Sequence, residues 1–120
     1  MEGRVRVIVC GSRNWNYRDV ISDRLARLPG ADDTVVVHGA AKGADRIAEQ
    51  EAQKLGLLVE AHPADWSVLG KRAGYERNKE MAELGADLCI AFWDGMSNGT
   101  AHMMAAADAR GIPVEIVGKP

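Results

Sequence analysis

Four short stretches of this 120-residue chain join small residues to groups that bind anions: Gly11-Ser12-Arg13, His38-Gly39-Ala40-Ala41-Lys42-Gly43-Ala44-Asp45, Pro63-Ala64-Asp65-Trp66, and Asp94-Gly95-Met96-Ser97-Asn98-Gly99-Thr100. Glycine lets a backbone approach a ligand closely, and the first N–H groups of a helix, with its dipole, face negative charge. Ser12, Ser97 and Thr100 add hydroxyl donors and Arg13 adds a cation. One such loop is uninformative, because any strand-to-helix turn uses small residues. Three on one rim point to an anionic, nucleotide-like ligand. Neither the dinucleotide G-x-G-x-x-G nor the P-loop G-x-x-x-x-G-K-[ST] is present.

Other residues add to this set. The segment Lys71–Lys79 carries four cations against one carboxylate, and within it Arg77 is suited to grip a phosphate with two parallel hydrogen bonds. A charge run is also what an ordinary solvated helix face looks like. The six aromatics, Trp15, Tyr17, Trp66, Tyr75, Phe92 and Trp93, fall at strand ends or helix starts, where a ring can stack a base or cover the top of a small core. His38, His62 and His102 do not have metal-ligand spacing, so neither a metal nor a cofactor is expected. Cys10 and Cys89 lie in apolar runs and read as buried free thiols. Asp45 has two readings, as a site carboxylate and as a first-turn carboxylate at a helix N-terminus.

The elements that must hold these residues alternate in type. Apolar, β-branched runs at Val5–Cys10, Thr34–His38, Leu57–Ala61, Asp87–Phe92 and Pro113–Val117 predict strands covered on both faces. Helical periodicity covers Arg18–Leu28, Ala44–Leu55, Tyr75–Leu84 and Thr100–Arg110. This β-α alternation predicts a doubly wound parallel sheet, with ligands beyond the carboxyl ends of its strands. His62–Gly74 reads as a long irregular loop, and loops of that length are usually functional or mobile.

Length and the absence of a linker predict one domain over residues 1–120. The net charge of −2 argues against attachment to nucleic acid or anionic membrane by bulk charge. No apolar run approaches a membrane span, and the N-terminus lacks a cleavage pattern, so a cytoplasmic location is expected. The fourth periodic helix, rich in alanine and methionine, suggests a face covered by a second copy, hence a homo-oligomer.

Taken together, Gly11-Ser12-Arg13, His38-Gly39 with Gly43-Ala44-Asp45, Pro63-Ala64-Asp65-Trp66, Arg77-Asn78 with Met81, and Asp94-Gly95 with Ser97, Gly99 and Thr100 resemble the YspA-like group of the SLOG superfamily. The resemblance covers nearly the whole chain. It implies a Rossmann-like three-layer fold with a five-stranded parallel sheet of order 3-2-1-4-5. It relates the chain to the Lonely guy phosphoribohydrolases and to DNA-processing protein A. By resemblance the ligand site comprises Gly11, Ser12, Arg13, His38, Gly39, Gly43, Asp45, Trp66, Arg77, Asn78, Asp94, Gly95, Ser97, Gly99 and Thr100. The Lonely guy enzymes carry a catalytic glutamate in P-G-G-x-G-T-x-x-E, and here Met103 stands in its place. Their R-K-x-x-M becomes Arg77-Asn78-Lys79-Glu80-Met81, which keeps the arginine and loses the lysine. A phosphate site without its catalytic acid is therefore the expectation, with Asp94 the first candidate for any catalytic role. The leading reading is binding of a nucleotide or nucleotide-derived small molecule. Hydrolysis of a nucleotide N-glycosidic bond comes next, and single-stranded nucleic-acid binding last.

Overall fold

The computed structural model describes residues 3–120. Five strands, β1 (Val5–Gly11), β2 (Thr34–His38), β3 (Leu58–Ala61), β4 (Leu88–Phe92) and β5 (Val114–Val117), form one sheet of order β3-β2-β1-β4-β5. Every pairing is parallel, and β1 is flanked by β2 and β4. The α/β parallel architecture is as the β-α alternation predicts, and the Rossmann-like strand order is as the family resemblance implies.

The chain reverses its direction of winding between β3 and β4. Helices α1 (Arg18–Leu25) and α2 (Ala44–Lys54) precede that reversal, and α4 (Ala73–Leu84) and α5 (Asn98–Ala109) follow it. The two groups cover opposite faces of the sheet, because successive residues of a strand point to opposite sides. Val7, Val9, Val36, Ile90 and Phe92 pack with Ile21, Leu25, Ile47 and Ala48. Ile8, Cys10, Val37, Cys89 and Ala91 pack with Met81, Met103 and Ala107. The central strands are apolar on both sides for this reason. Cys10 and Cys89 are buried free thiols with their sulfurs 4.0 Å apart.

The sequence reading departs from the structure mainly at His62–Gly74. That stretch contains a one-turn helix, α3 (Trp66–Leu69), and a 3-10 turn over Gly70–Arg72, after which α4 begins at Ala73 rather than Tyr75. One turn is too short to show a periodic apolar stripe, and α3 buries none of its residues. Helix α1 stops at Leu25, three residues early, with turn bonds from Arg27 and Leu28. Helix α5 starts two residues early, because Ser97 serves as its cap and accepts from the Thr100 N–H.

Arginines tie the outer strands inward. Arg6 on β1 donates from both terminal nitrogens to the Glu60 carboxylate of β3, each at 2.9 Å. Arg24 of α1 makes a similar pair with Glu115 of β5, at 2.6 and 2.9 Å. The hydrogen bonds from Arg6 hold the Glu60 carboxyl down at about 2, against 4.5 for the free group. A carboxylate depressed on folding stabilises above its unfolded pKa, and that contribution disappears as pH falls through the folded value. Glu60→Gln should therefore lower stability at neutral pH, with the difference from wild type vanishing as pH drops from 4.5 towards 2. Urea melts across that range read this directly. The pair is one-third exposed, so the expected effect is modest.

Candidate functional site

The carboxyl ends of β1, β2 and β4 open onto one cavity of about 520 Å³, within the ~300–1,000 Å³ of small-molecule sites. Its walls come from the β1–α1 loop, the β2–α2 loop, α3, the start of α4, and the β4–α5 loop. Strands β1 and β4 lie side by side, so the loops after them meet there.

Gly11 is a tight packing point. A Cβ at this position would lie 2.5 Å from the Ala44 Cβ and 2.6 Å from the Phe92 carbonyl oxygen, so α2 and β4 both close on bare backbone. Ser12 then joins three loops. Its N–H donates to Phe92 at 3.2 Å, its carbonyl accepts from Trp15 and Ala44, and its hydroxyl oxygen accepts from Asn14 at 3.1 Å. Gly43 adopts φ +73°, and a Cβ there would strike the carbonyls of Ser12 and Arg13. Ala40 is held in the left-handed region at φ +58°, a conformation that is rare for residues other than glycine.

Asp45 sits one residue inside α2, only 5% exposed, and lines the cavity. Its Oδ2 accepts from the N–H groups of Gly39 (3.0 Å) and Ala41 (3.3 Å). The carboxylate therefore shapes the β2–α2 loop, and does not cap its own helix. Burial pushes its pKa up, against the two N–H groups and the nearby Arg77.

Arg77 emerges from α4 and reaches across to the ends of β2 and β3. One terminal nitrogen, Nη1, donates to the Gly39 carbonyl and, at 3.3 Å, to that of His62. Nε donates to Asn78 Oδ1 at 3.0 Å. Burial lowers its pKa, partly offset by Asp45. Asn78 is itself buried, and its amide donates to the Gly99 carbonyl (3.3 Å) and to His102 Nδ1 (3.2 Å). Arg77 and the start of α5 are thereby joined through one side chain.

Asp94 accepts from the N–H groups of Met96 (2.8 Å) and Ser97 (3.0 Å). These bonds hold its carboxyl below the usual carboxylate range. Thr100 donates its hydroxyl to Ser97 Oγ at 2.9 Å, which completes the cap of α5. The N–H groups of Asn98 and Gly99, in the first turn, have no intrahelical acceptor.

Gly11, Ser12, Arg13, Gly39, Asp45, Trp66, Arg77, Asn78, Asp94, Ser97, Gly99 and Thr100 line this cavity. His38, Gly43 and Gly95 do not. His38 is buried beneath the rim, with Nε2 2.7 Å from Glu49 and Nδ1 accepting from the Ala40 N–H. Gly43 acts from behind, as the packing point described above. Asn14, Lys71, Met81 and Met96 also line the cavity, beside Tyr75 and Met103. Tyr75 was legible as an aromatic at the rim.

Gly99 is not required by its backbone angle, which leaves close approach of a phosphate as the role glycine could serve there. Its φ is not positive, and nothing lies within 4 Å of where its Cβ would be. Gly99→Val should leave thermal stability almost unchanged, since valine and glycine differ by only a few tenths of a kcal/mol in helices. It should still abolish binding of an anion seated on the first turn of α5. Calorimetry with adenosine monophosphate, beside a melting curve, separates the two effects.

Around the mouth, Trp66 is 48% exposed, Tyr75 45% and Met96 82%. The Arg13 guanidinium lies over the Trp66 ring, 5.5 Å from its centroid. Tyr75 packs against His102 with centroids 4.4 Å apart. Among the described residues there is no cluster of three His, Cys, Asp or Glu side chains able to hold a metal. No described helix is long and apolar enough to cross a membrane.

Comparison with known proteins agrees with this architecture. The chain is similar to the X-ray structure of DNA processing protein A from Streptococcus pneumoniae, with a TM-score of 0.75 and 19% identity over 98% of the chain. It spans about half, 51%, of that protein's length. It also resembles the C-terminal domain of the PF1911 hydrogenase from Pyrococcus furiosus, at TM-score 0.54 and 20% identity, covering 97% of this chain and 92% of that one. At such identities the likeness is one of fold. In sequence it is 46% identical over 118 residues to the Gene 61 protein of Mycobacterium phage D29, which covers 91% of this chain and 93% of that protein. The model of the YspA, cpYpsA-related SLOG family matches residues 5–68, from β1 through most of α3 and so through the Gly11, Gly39–Asp45 and Trp66 parts of the cavity. The chain belongs to the YspA, cpYpsA-related SLOG family.

Proposed function

We propose that the chain binds a nucleotide or nucleotide-derived small molecule in the cavity at the carboxyl edge of the sheet. One observation carries this reading: the first turn of α5, Arg13 and Arg77 line a single cavity whose rim is aromatic. The cations and first-turn N–H groups suit a phosphate, and Trp66 and Tyr75 offer faces for a base. The nucleotide-related ligands of the SLOG superfamily are consistent with the same site. Calorimetry with adenosine monophosphate, adenosine diphosphate-ribose and NAD tests it, together with native mass spectrometry of any copurifying small molecule. Binding of none of them, and no copurifying nucleotide, would overturn it.

Binding without turnover is the expected behaviour. Met103, where the Lonely guy enzymes carry their glutamate, is 1% exposed and lines the cavity. A thioether neither accepts a proton nor stabilises an oxocarbenium ion with charge. Asp94 has two backbone N–H groups on its Oδ1, which suits a loop-shaping role. Wild type should bind adenosine monophosphate and release no adenine, as followed by chromatography. Rapid release that survives Asp94→Asn would contradict both the binding reading and the candidate role of Asp94. The name of DNA processing protein A raises single-stranded DNA as a further ligand. A steep fall in oligonucleotide affinity with added salt would favour it.

A further inference from the structure

The floor of the cavity holds a carboxylate oxygen that the protein leaves without a partner. Asp45 is 5% exposed, and both hydrogen bonds it accepts fall on Oδ2. Among the described residues, no side-chain nitrogen or oxygen that is sealed from solvent lacks a partner. Oδ1, which no donor among the described residues reaches, therefore opens onto the cavity that Asp45 lines. A carboxylate oxygen that opens into a cavity keeps its accepting capacity for a donor that enters there.

Arg77 has the complementary feature. Its Nε and Nη1 are engaged by Asn78, Gly39 and His62, while Nη2 has no acceptor among the described residues. The cavity thus offers one fixed acceptor and one fixed donor, both deeper than the half-exposed Trp66 and Tyr75 at the mouth. A nucleotide is ordered phosphate, ribose, base. With its base on the aromatic mouth and its phosphate on the cations and α5, the ribose is the part left to face Asp45. A lone free oxygen suits a single hydroxyl donor. The paired donors of a guanine edge would need both oxygens.

We infer that Asp45 Oδ1 accepts a hydrogen bond from a ribose hydroxyl, so that the site selects ribonucleotides over nucleotides whose sugar lacks those hydroxyls. The inference rests on the nucleotide reading above. It adds a ligand class, and it gives Asp45 a second role besides shaping the β2–α2 loop. Acidic side chains bind ribose hydroxyls in other Rossmann-type sites, by the same charge-assisted bond.

The test measures dissociation constants for adenosine monophosphate and its 2′,3′-dideoxy analogue, with wild type and Asp45→Asn. Asparagine keeps an oxygen for the Gly39 and Ala41 N–H groups and removes a buried charge, so this variant should fold. Wild type should prefer the ribonucleotide roughly 10- to 100-fold, the size of a lost hydrogen bond to a charged group. In Asp45→Asn that preference should shrink at least several-fold, and the dideoxy analogue should bind no worse than to wild type. Equal affinity of wild type for the two nucleotides would overturn the inference and leave the nucleotide reading standing. A preference unchanged in Asp45→Asn would overturn the role of Asp45. Failure of wild type to bind either nucleotide would overturn the inference together with the reading beneath it. The wild-type ratio is decisive even if the variant does not fold.

Discussion

Gly43→Ala is expected to cost about 3 kcal/mol or more of folding stability, a large part of the roughly 5–15 kcal/mol that holds a typical domain. Two effects add. The residue adopts φ +73°, where any side chain is strained, and the new Cβ would meet the carbonyls of Ser12 and Arg13. The conformational part costs about 1–2 kcal/mol. Overpacking against a rigid neighbour costs a further 1–3 kcal/mol or so. Relief is difficult, because the Ser12 carbonyl is already held by Trp15 and Ala44. Urea denaturation at neutral pH reads the difference. A loss below about 1 kcal/mol would mean that the β1–α1 loop yields easily, contrary to the conformational cost alone. Gly99→Val provides the contrast, since its Cβ would enter open space.

Arg77→Ala should have the largest effect on ligand affinity. Losing a charge-assisted contact to phosphate is expected to weaken adenosine monophosphate binding by about 2–3 kcal/mol. The structure adds a second consequence. The same side chain bridges the carbonyls of Gly39 and His62, so its removal also loosens the loops that follow β2 and β3, whose ends stay joined by the bond from the His62 N–H to the His38 carbonyl. A stability loss of about 1 kcal/mol should accompany the loss of binding. Arg77→Lys keeps the charge and cannot span both carbonyls and Asn78, so it should recover only part of the affinity. An unchanged dissociation constant in Arg77→Ala would make this residue a purely structural clamp.

The parallel sheet was legible because its buried strands leave an unmistakable mark: VRVIVC, TVVVH and LCIAF are apolar on both faces, while the strand order came only with the family resemblance. The rim was legible because loops that follow such strands have few places to go. Direction was not. Arg77 appeared as a cation available to phosphate, yet two of its three nitrogens are occupied by the protein, which depends on a contact 38 residues away in sequence. His38 ended a strand like a site residue, and its partner Glu49 lies eleven positions on, a pairing that only the α2 geometry creates. Asp94 and Asp45 looked interchangeable as carboxylates. Their difference is one of environment, half-buried and capped against buried and half-capped, and no local pattern encodes it. The turn at Trp66–Leu69 escaped because a single helical turn is shorter than its own period of detection.

The arginine clamps on the outer strands also govern how copies of this chain meet at high concentration. An open sheet ends in two rows of unpaired backbone groups, and a strand from another copy could extend either one. Both edge strands are only four residues long and each carries a glutamate, Glu60 on β3 and Glu115 on β5. Each glutamate is already matched by an arginine from within the same chain. A strand docking alongside would bring hydrophobic or charged side chains next to those pairs and gain little in exchange. The protein is thus guarded against runaway sheet growth, and any assembly it forms should use its helical faces. Because the Arg6 bonds hold the Glu60 carboxyl down at about 2, the charge on the β3 edge persists through mild acidification.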